Sequence, residues 1–354
     1  MLASAILLIE PATSDSPVSS ISRDPVPAFP LACCEVLGES AVERTIQRLQ
    51  SAGIGSVTVL APSTLSDFVN ELGRRYRGIR FVPSSPSTET NEVNTVFEQI
   101  EKVADRVVVV KMGAYVEFDL AALLEIQHTK RESVIRVHGD HGPLDVWLVN
   151  LRSGPTDIGT PWFSGMVSSA CPVKGYVNQL LRWQDLHSFG IDILLARCEA
   201  KPFGRQKAPG IWLAEEARVH RDAELIAPVY VGRSSVVGAS ARVNGMTSIE
   251  SRCEVGAGTT VEDSLILPRT RIGVGLHVSH AIVDGACFVD IRQNIAVKVS
   301  DAKLLSTFEP PRRWFTRSVP IRSKKAATQP SGLNRLPFRG AALPKVMGFL
   351  EDEL

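Results

Sequence analysis

Residues 213–267 read LAEEARVHRDAELIAPVYVGRSSVVGASARVNGMTSIESRCEVGAGTTVEDSLIL, and aliphatic side chains recur in them every six residues. The series is Leu213, Val219, Leu225, Val231, Val237, Val243, Ile249, Val255, Val261 and Leu267. Leu, Ile and Val make up about a quarter of an ordinary chain, so an unbroken aliphatic series of this length has a structural cause. Period six matches neither the 3.6-residue turn of a helix nor the strict alternation of a half-buried strand. It matches a triangular parallel solenoid with six residues to a side, in which every sixth side chain points inward and stacks on its neighbours. The fourth residue after each aliphatic one is usually small, as at Ala217, Ala223, Ser235, Ala241, Thr247, Cys253 and Thr259. Glycine follows the aliphatic place at Gly232, Gly238 and Gly256, which predicts turns free of a Cβ there.

This pattern predicts a hexapeptide-repeat left-handed parallel β-helix over residues 211–300. The register slips by one after Leu267 and resumes at Ile272 and Val278, and Ala281 to Val289 is expected to complete a fourth coil. Solenoids bury their cores by stacking and leave ends and flat faces for other subunits or domains, so a homo-oligomer is expected.

Upstream, short β-branched runs alternate with helical patterns. Strands are expected at residues 3–9, 55–61, 79–83, 106–111, Ser133 to His138, Asp145 to Asn150 and Ile191 to Ala196. Helices are expected at Ser40 to Ala52, Leu65 to Arg75, Val93 to Val103 and near Tyr176 to His187. Strand and helix alternating at this spacing predict a doubly wound α/β domain over residues 1–203, with ligands at the carboxyl ends of its strands. Residues 204–210 are expected to be a linker.

The chain has 354 residues, 44% hydrophobic and 22% charged, which excludes a collagen-like repeat, a coiled-coil rod and wholesale disorder. The net charge of +1 argues against nucleic acid as a partner. The charge is unevenly spread: Pro310 to Leu350 holds nine basic residues and no acidic one, leaving an acidic body. Residues 301–354 are therefore expected to form an extended basic, Pro-rich tail, in which Trp314 and Phe315 beside Arg312, Arg313 and Arg317 suit an anionic membrane surface or a protein partner. The apolar run Ala5 to Ile9 is too short for a signal peptide and has no basic residue before it. Six cysteines without metal-ligand spacing point to a reduced, cytoplasmic protein.

A nucleotide-binding α/β domain followed by a hexapeptide β-helix resembles the sugar-nucleotide pyrophosphorylases, nucleotidyltransferases that join a sugar 1-phosphate to a nucleoside triphosphate. The likeness spans about residues 1 to 300. It lies in the layout: a first strand, a long loop, the stretch Asp24-Pro25-Val26-Pro27-Ala28-Phe29-Pro30-Leu31, a helix with Glu43-Arg44 and Leu49, then Ala52-Gly53-Ile54 and a strand. The resemblance implies a Gly-rich phosphate loop after the first strand, a lysine in the Pro-rich stretch, and two magnesium carboxylates.

The residues depart from each element. The loop positions are Pro11, Ala12, Thr13, Ser14 and Asp15, with no glycine before Gly38, so a tight backbone cradle for phosphate lacks its left-handed residues and its acids repel the ligand. The lysine place falls near Val26, and the first lysine of the chain is Lys102. Ala114 stands where the resemblance places a magnesium carboxylate, and a methyl cannot serve a hard cation. Asp157, in Asp157-Ile158-Gly159-Thr160-Pro161, is similar to the family's second metal ligand, although Asp and Gly before Pro also make an ordinary turn.

The expectation is a catalytically degenerate pyrophosphorylase-like protein with a regulatory or scaffolding role in sugar-nucleotide or cell-surface polysaccharide synthesis, with no resident cofactor. Its expected partners are a sugar nucleotide, further copies of itself or an active paralogue. One alternative is an active nucleotidyltransferase with a rebuilt site, using magnesium on Asp157 and arginines such as Arg23. A second is a hexapeptide acyltransferase, for which His220, His277 and His280 are the candidate bases.

Overall fold

The computed structural model describes residues 3–10, 30–84, 89–130, 133–140, 142–153 and 169–308. The first half is a mixed α/β domain around a seven-stranded sheet. Its strand order is 169–172, 134–139, 142–150, 106–111, 3–8, 56–62, 79–84. Ala3–Leu8 lies parallel between Ser56–Pro62 and Arg106–Lys111, whereas Gly142–Asn150 runs antiparallel to both its neighbours. Successive side chains of a strand point to opposite faces, and both faces are covered here. Ala5, Leu7, Val108 and Val110 join one apolar layer, while Ile6, Leu8, Val107 and Val109 join the other.

Among the described residues five helices supply those layers: α1 (Ala41–Ser51), α2 (Ser66–Arg75), α3 (Glu89–Glu101), α4 (Leu120–Lys130) and α5 (Trp183–Leu194). A capping box starts α1: Glu43 N donates to Ser40 Oγ (3.2 Å), and Ser40 N donates to Glu43 Oε2 (2.7 Å). Its face Val42, Ile46 and Leu49 packs on the first layer, with Val69 and Leu72 of α2 and Leu186, Phe189 and Ile193 of α5; Val96, Phe97 and Ile100 of α3 cover the opposite face.

Two expectations for this half need correction. Residues 176–179 form a strand antiparallel to Ala114–Glu117, not the start of a helix, and residues 191–194 are the last turn of α5, not a strand. The β-branched pair Ile191 and Ile193 suggests a strand locally, but Leu186, Phe189 and Ile193 recur at helical spacing and are buried together. Within Gly204–Gly210, expected as a linker, Arg205–Ala208 pairs antiparallel with Ile211–Leu213 and edges the next sheet.

From Ile211 the chain winds into three parallel sheets whose partners lie eighteen residues apart: Leu213 is opposite Val231 and Val231 opposite Ile249, Val219 opposite Val237 and Val237 opposite Val255, Leu225 opposite Val243 and Val243 opposite Val261. These side chains share one apolar core. The offset then becomes seventeen, with Ile249 opposite Ile266 and Val255 opposite Ile272. The slip thus falls before Ile266, not after Leu267. The corner Asn244 to Thr247 takes two left-handed residues, Gly245 and Met246, whereas Glu262 to Ser264 takes one, Asp263. Ile266 enters the solenoid core, and Leu267 turns outward onto the α/β domain.

The glycines of the repeat also act differently from expectation. Left-handed backbone occurs two residues later, at Ser234, Ser240 and Gly258, and at Glu216, Arg252 and Arg269 on the corner shared with Ser234. Gly232, Gly238 and Gly256 are required because the next coil is too close: a Cβ on Gly256 would lie 2.3 Å from Gly273 O. The fourth coil is not completed. Ala281–Asp284 stacks in parallel, then a turn at left-handed Gly285 sends Cys287–Asp290 back antiparallel, and Ile295–Lys298 follows. Leu305–Thr307 pairs antiparallel with Thr270–Ile272, within the segment expected as tail; residues 309–354 lie outside the described residues. No helix among the described residues is long and apolar enough to cross a membrane.

Candidate functional site

Open α/β sheets bind ligands beyond the carboxyl ends of their strands, where the connecting loops diverge. Here that edge is formed by Ala3–Leu8, Ser56–Pro62 and Arg106–Lys111. The strands stay paired to their ends: Ile9 N donates to Leu60 O (2.9 Å) and Met112 N to Leu8 O (2.8 Å). At the same edge, Lys111 Nζ and Glu10 Oε1 form an ion pair of 2.6 Å, both partly exposed. Sequence reasoning sought its phosphate-binding lysine in the Pro-rich stretch and passed over Lys111. A cation closing the run Val107 to Val110 was the available signal. Its charge is answered by Glu10, so this pair by itself offers an anion little net attraction.

Ala114 opens the strand Ala114–Glu117, opposite Gln179, and presents only a methyl. Beyond it the strand is anchored: Tyr115 Oη donates to Glu117 Oε1 (2.9 Å), and Glu117 accepts from Glu199 N (2.7 Å) and Ala200 N (2.9 Å). Magnesium does not fit the described residues of this edge, because Ala114 offers no oxygen and the Glu10 carboxylate is engaged by Lys111. Among the described residues no group of three or more His, Cys, Asp or Glu side chains is placed to share a metal ion. Pro11, Ala12, Thr13, Ser14, Asp15, Arg23 and Asp157 lie outside the described residues.

The three solenoid histidines occupy different settings. His220 Nδ1 accepts from Asp222 N (3.2 Å), and His277 lies 3.2 Å from Glu262 on an exposed face. His280 is held more closely. Its Nδ1 is 2.5 Å from Asp263 Oδ2, and Arg292 donates to Nε2, so Nδ1 carries the proton and Asp263 accepts it. Asp263 also receives His187 from α5, whose Nε2 is 3.1 Å from Asp263 O. Burial lowers the His187 pKa, against the pull of Asp263. Topology brings together His187, Asp263, His280 and Arg292, of which sequence reasoning named only His280.

The larger polar constellation missed from sequence lies at the seam between the two halves. The hairpin formed by Glu35–Val36 and Glu39–Ser40 packs against the solenoid corner at Glu250–Ser251. Glu250 is fully buried, accepting from Leu37 N (2.8 Å), Gly38 N (2.9 Å) and the Ser248 hydroxyl. Glu35 accepts from Ser251 N and Ser251 Oγ, both at 3.0 Å. Burial, and then the neighbouring Glu35 charge, pushes Glu250 up to about 8. Burial likewise raises Glu35, while its bonds from Ser251 oppose the shift. The column Ala214, Gly232, Glu250, Leu267 contains one charged member, which was the legible sign. The cysteines are all free thiols, and burial pushes Cys33 and Cys253 up, consistent with packing rather than reactivity.

No protein-family model matches the chain, and no curated protein matches it.

Proposed function

We propose that this protein is a pyrophosphorylase-like scaffold without ordinary nucleotidyltransferase activity, acting as a regulatory or structural partner in sugar-nucleotide or cell-surface polysaccharide synthesis. The observation that carries the proposal is the carboxyl edge of the sheet, where Lys111 is paired with Glu10 and a methyl, Ala114, stands where the resemblance implies a metal carboxylate. Phosphoryl transfer depends on positioning and on charge stabilisation by cations. Among the described residues of this edge, a lysine already paired and a methyl in place of the implied acid supply little of either. In this proposal the solenoid is a left-handed hexapeptide β-helix, the α/β domain has the nucleotidyltransferase arrangement, and the protein works in the cytoplasm as a homo-oligomer or beside an active paralogue. A sugar nucleotide is the proposed ligand, and a membrane surface or a protein is the proposed partner of the basic residues between Pro310 and Leu350.

The test is calorimetric titration of the full chain with nucleoside triphosphates and sugar nucleotides, with and without magnesium, followed by a pyrophosphate-release assay on each pair that binds. Binding of a sugar nucleotide without turnover supports the proposal. Magnesium-dependent triphosphate binding with turnover overturns it and establishes an active nucleotidyltransferase with a rebuilt site.

One contact favours a second reading, hexapeptide acyltransferase. Asp263 orients His280 as an acid orients a general base. The nitrogen that would accept a proton, Nε2, is covered by Arg292. Acyl transfer abolished by His280→Ala and raised by Arg292→Ala would select this reading.

A further inference from the structure

The seam between hairpin and solenoid is closed by four hydrogen bonds that run in both directions and end on two acids. Glu250 takes the amides of Leu37 and Gly38, and Glu35 takes the amide and hydroxyl of Ser251, the residue after Glu250. All four donors are neutral. The guanidiniums facing the pair are committed elsewhere: Arg44 to Val36 O, Lys201 O and Glu39, and Arg75 to Glu43 and Glu71. The other groups facing the pair are Glu39 and Glu43 from the hairpin and α1, and Tyr230 and Cys253 from the solenoid. Tyr230 is completely buried, and its Oη has no hydrogen-bond partner among the described residues, leaving an acceptor beside the acids. Two like charges in a buried site without a dedicated cation cost more than one charge and one retained proton.

We propose that Glu35 and Glu250 hold one proton between them while the α/β domain and the solenoid are docked and release it to water when the seam opens, making the docking of the two halves pH-sensitive. The sign follows from linkage. A carboxyl whose value is raised on docking keeps its proton in the docked state, so its contribution is complete at acid pH and is lost as pH rises through the docked-state value. The seam is tightest in mildly acid solution and loosens toward alkaline pH, a direction opposite to that of an ordinary ion-paired carboxylate.

The test uses the full chain and Glu35→Gln. The introduced amide keeps both contacts, its oxygen accepting from Ser251 N and its nitrogen donating to a turned Ser251 hydroxyl, while the charge is removed. Unfolding and amide exchange at Leu37 and Gly38 are followed from about pH 6.5 to about pH 8, between the ordinary histidine and cysteine values, with Glu35→Gln as the control for groups outside the seam. In the wild type, the opening constant, corrected for intrinsic exchange, is expected to rise by up to about tenfold per pH unit. In Glu35→Gln the rise falls below about threefold per unit, and the variant is the more stable protein at the alkaline end. A wild-type opening constant independent of pH overturns the proposal. So does a variant less stable than wild type throughout with the same slope, since the two acids would then be a plain charged clamp.

Discussion

Gly38 N donates to Glu250 Oε2 at 2.9 Å, joining residues 212 positions apart in the chain. The contact depends on glycine. Gly38 has φ +88°, and a Cβ there would lie 2.4 Å from Tyr230 Oη and 2.7 Å from Phe203 Cβ. The hairpin must sit this close for its amides to reach Glu250. Helix α5 approaches the same hairpin from the other side, where a Cβ on Gly190 would be 3.3 Å from Val36 Cγ1.

Gly38→Ala therefore combines a left-handed backbone with overlap against fixed neighbours and is expected to cost about 2 to 4 kcal/mol. Gly53 is a control within the same molecule. Its φ is +87°, but nothing lies within 4 Å of its Cβ position. Gly53→Ala should cost about 1 kcal/mol, the backbone term alone. Urea midpoints of the two variants measure the difference, and equal losses would remove the steric argument.

The solenoid offers a parallel comparison. Gly256→Ala drives a Cβ toward Gly273 O and C, at 2.3 and 2.5 Å, both backbone atoms of the next coil, whereas Gly258 has φ +66° and open space. Gly256→Ala is expected to lower stability by about 3 kcal/mol or more, and Gly258→Ala by about 1 kcal/mol. Circular dichroism melts of the two proteins decide whether inter-coil spacing or corner conformation dominates.

His187 sets the acid limb. Burial favours its neutral form in the folded state, so its contribution is complete above the ordinary histidine value of about 6.5 and is lost as pH falls below it toward the lowered folded value. Denaturant unfolding at pH 7, 6 and 5 should show the stability of His187→Gln rising relative to wild type as pH falls. Together with the opposite trend of Glu250, this places the most stable range of the protein in mildly acid to neutral solution.

At the sheet edge, Lys111→Met removes a partly exposed ion pair and is expected to change stability by less than about 1 kcal/mol. Glu10→Gln should affect binding rather than folding. It frees Lys111 and removes a repelling charge, so if the proposed ligand binds at this edge its affinity rises several-fold in calorimetric titration. A fall in affinity would mean that Glu10 itself contacts the ligand.

Sequence alone determined the periodic parts. The six-residue aliphatic spacing placed Leu213, Val219, Leu225 and their successors in one interior through Val261, and β-branched runs placed the central strands within a residue or two, because the solenoid turns one side chain inward at a fixed spacing and strands covered on both faces read as unbroken apolar runs. Where two periods compete locally, as at Ile191 and Ile193, burial in α5 decided between them. The candidate site was legible only where it lies within one segment, as with Ala114 after Gly113. Lys111 against Glu10, His187 against Asp263, and Glu35 beside Glu250 join residues from 76 to more than 200 positions apart. Their roles come from desolvation and from donors supplied by other elements, quantities that no local pattern encodes. Glu250 in a sequence is an ordinary charged residue; only its burial at the seam and the nearby Glu35, against the opposing bonds from Leu37 and Gly38, make it an acid that favours its proton.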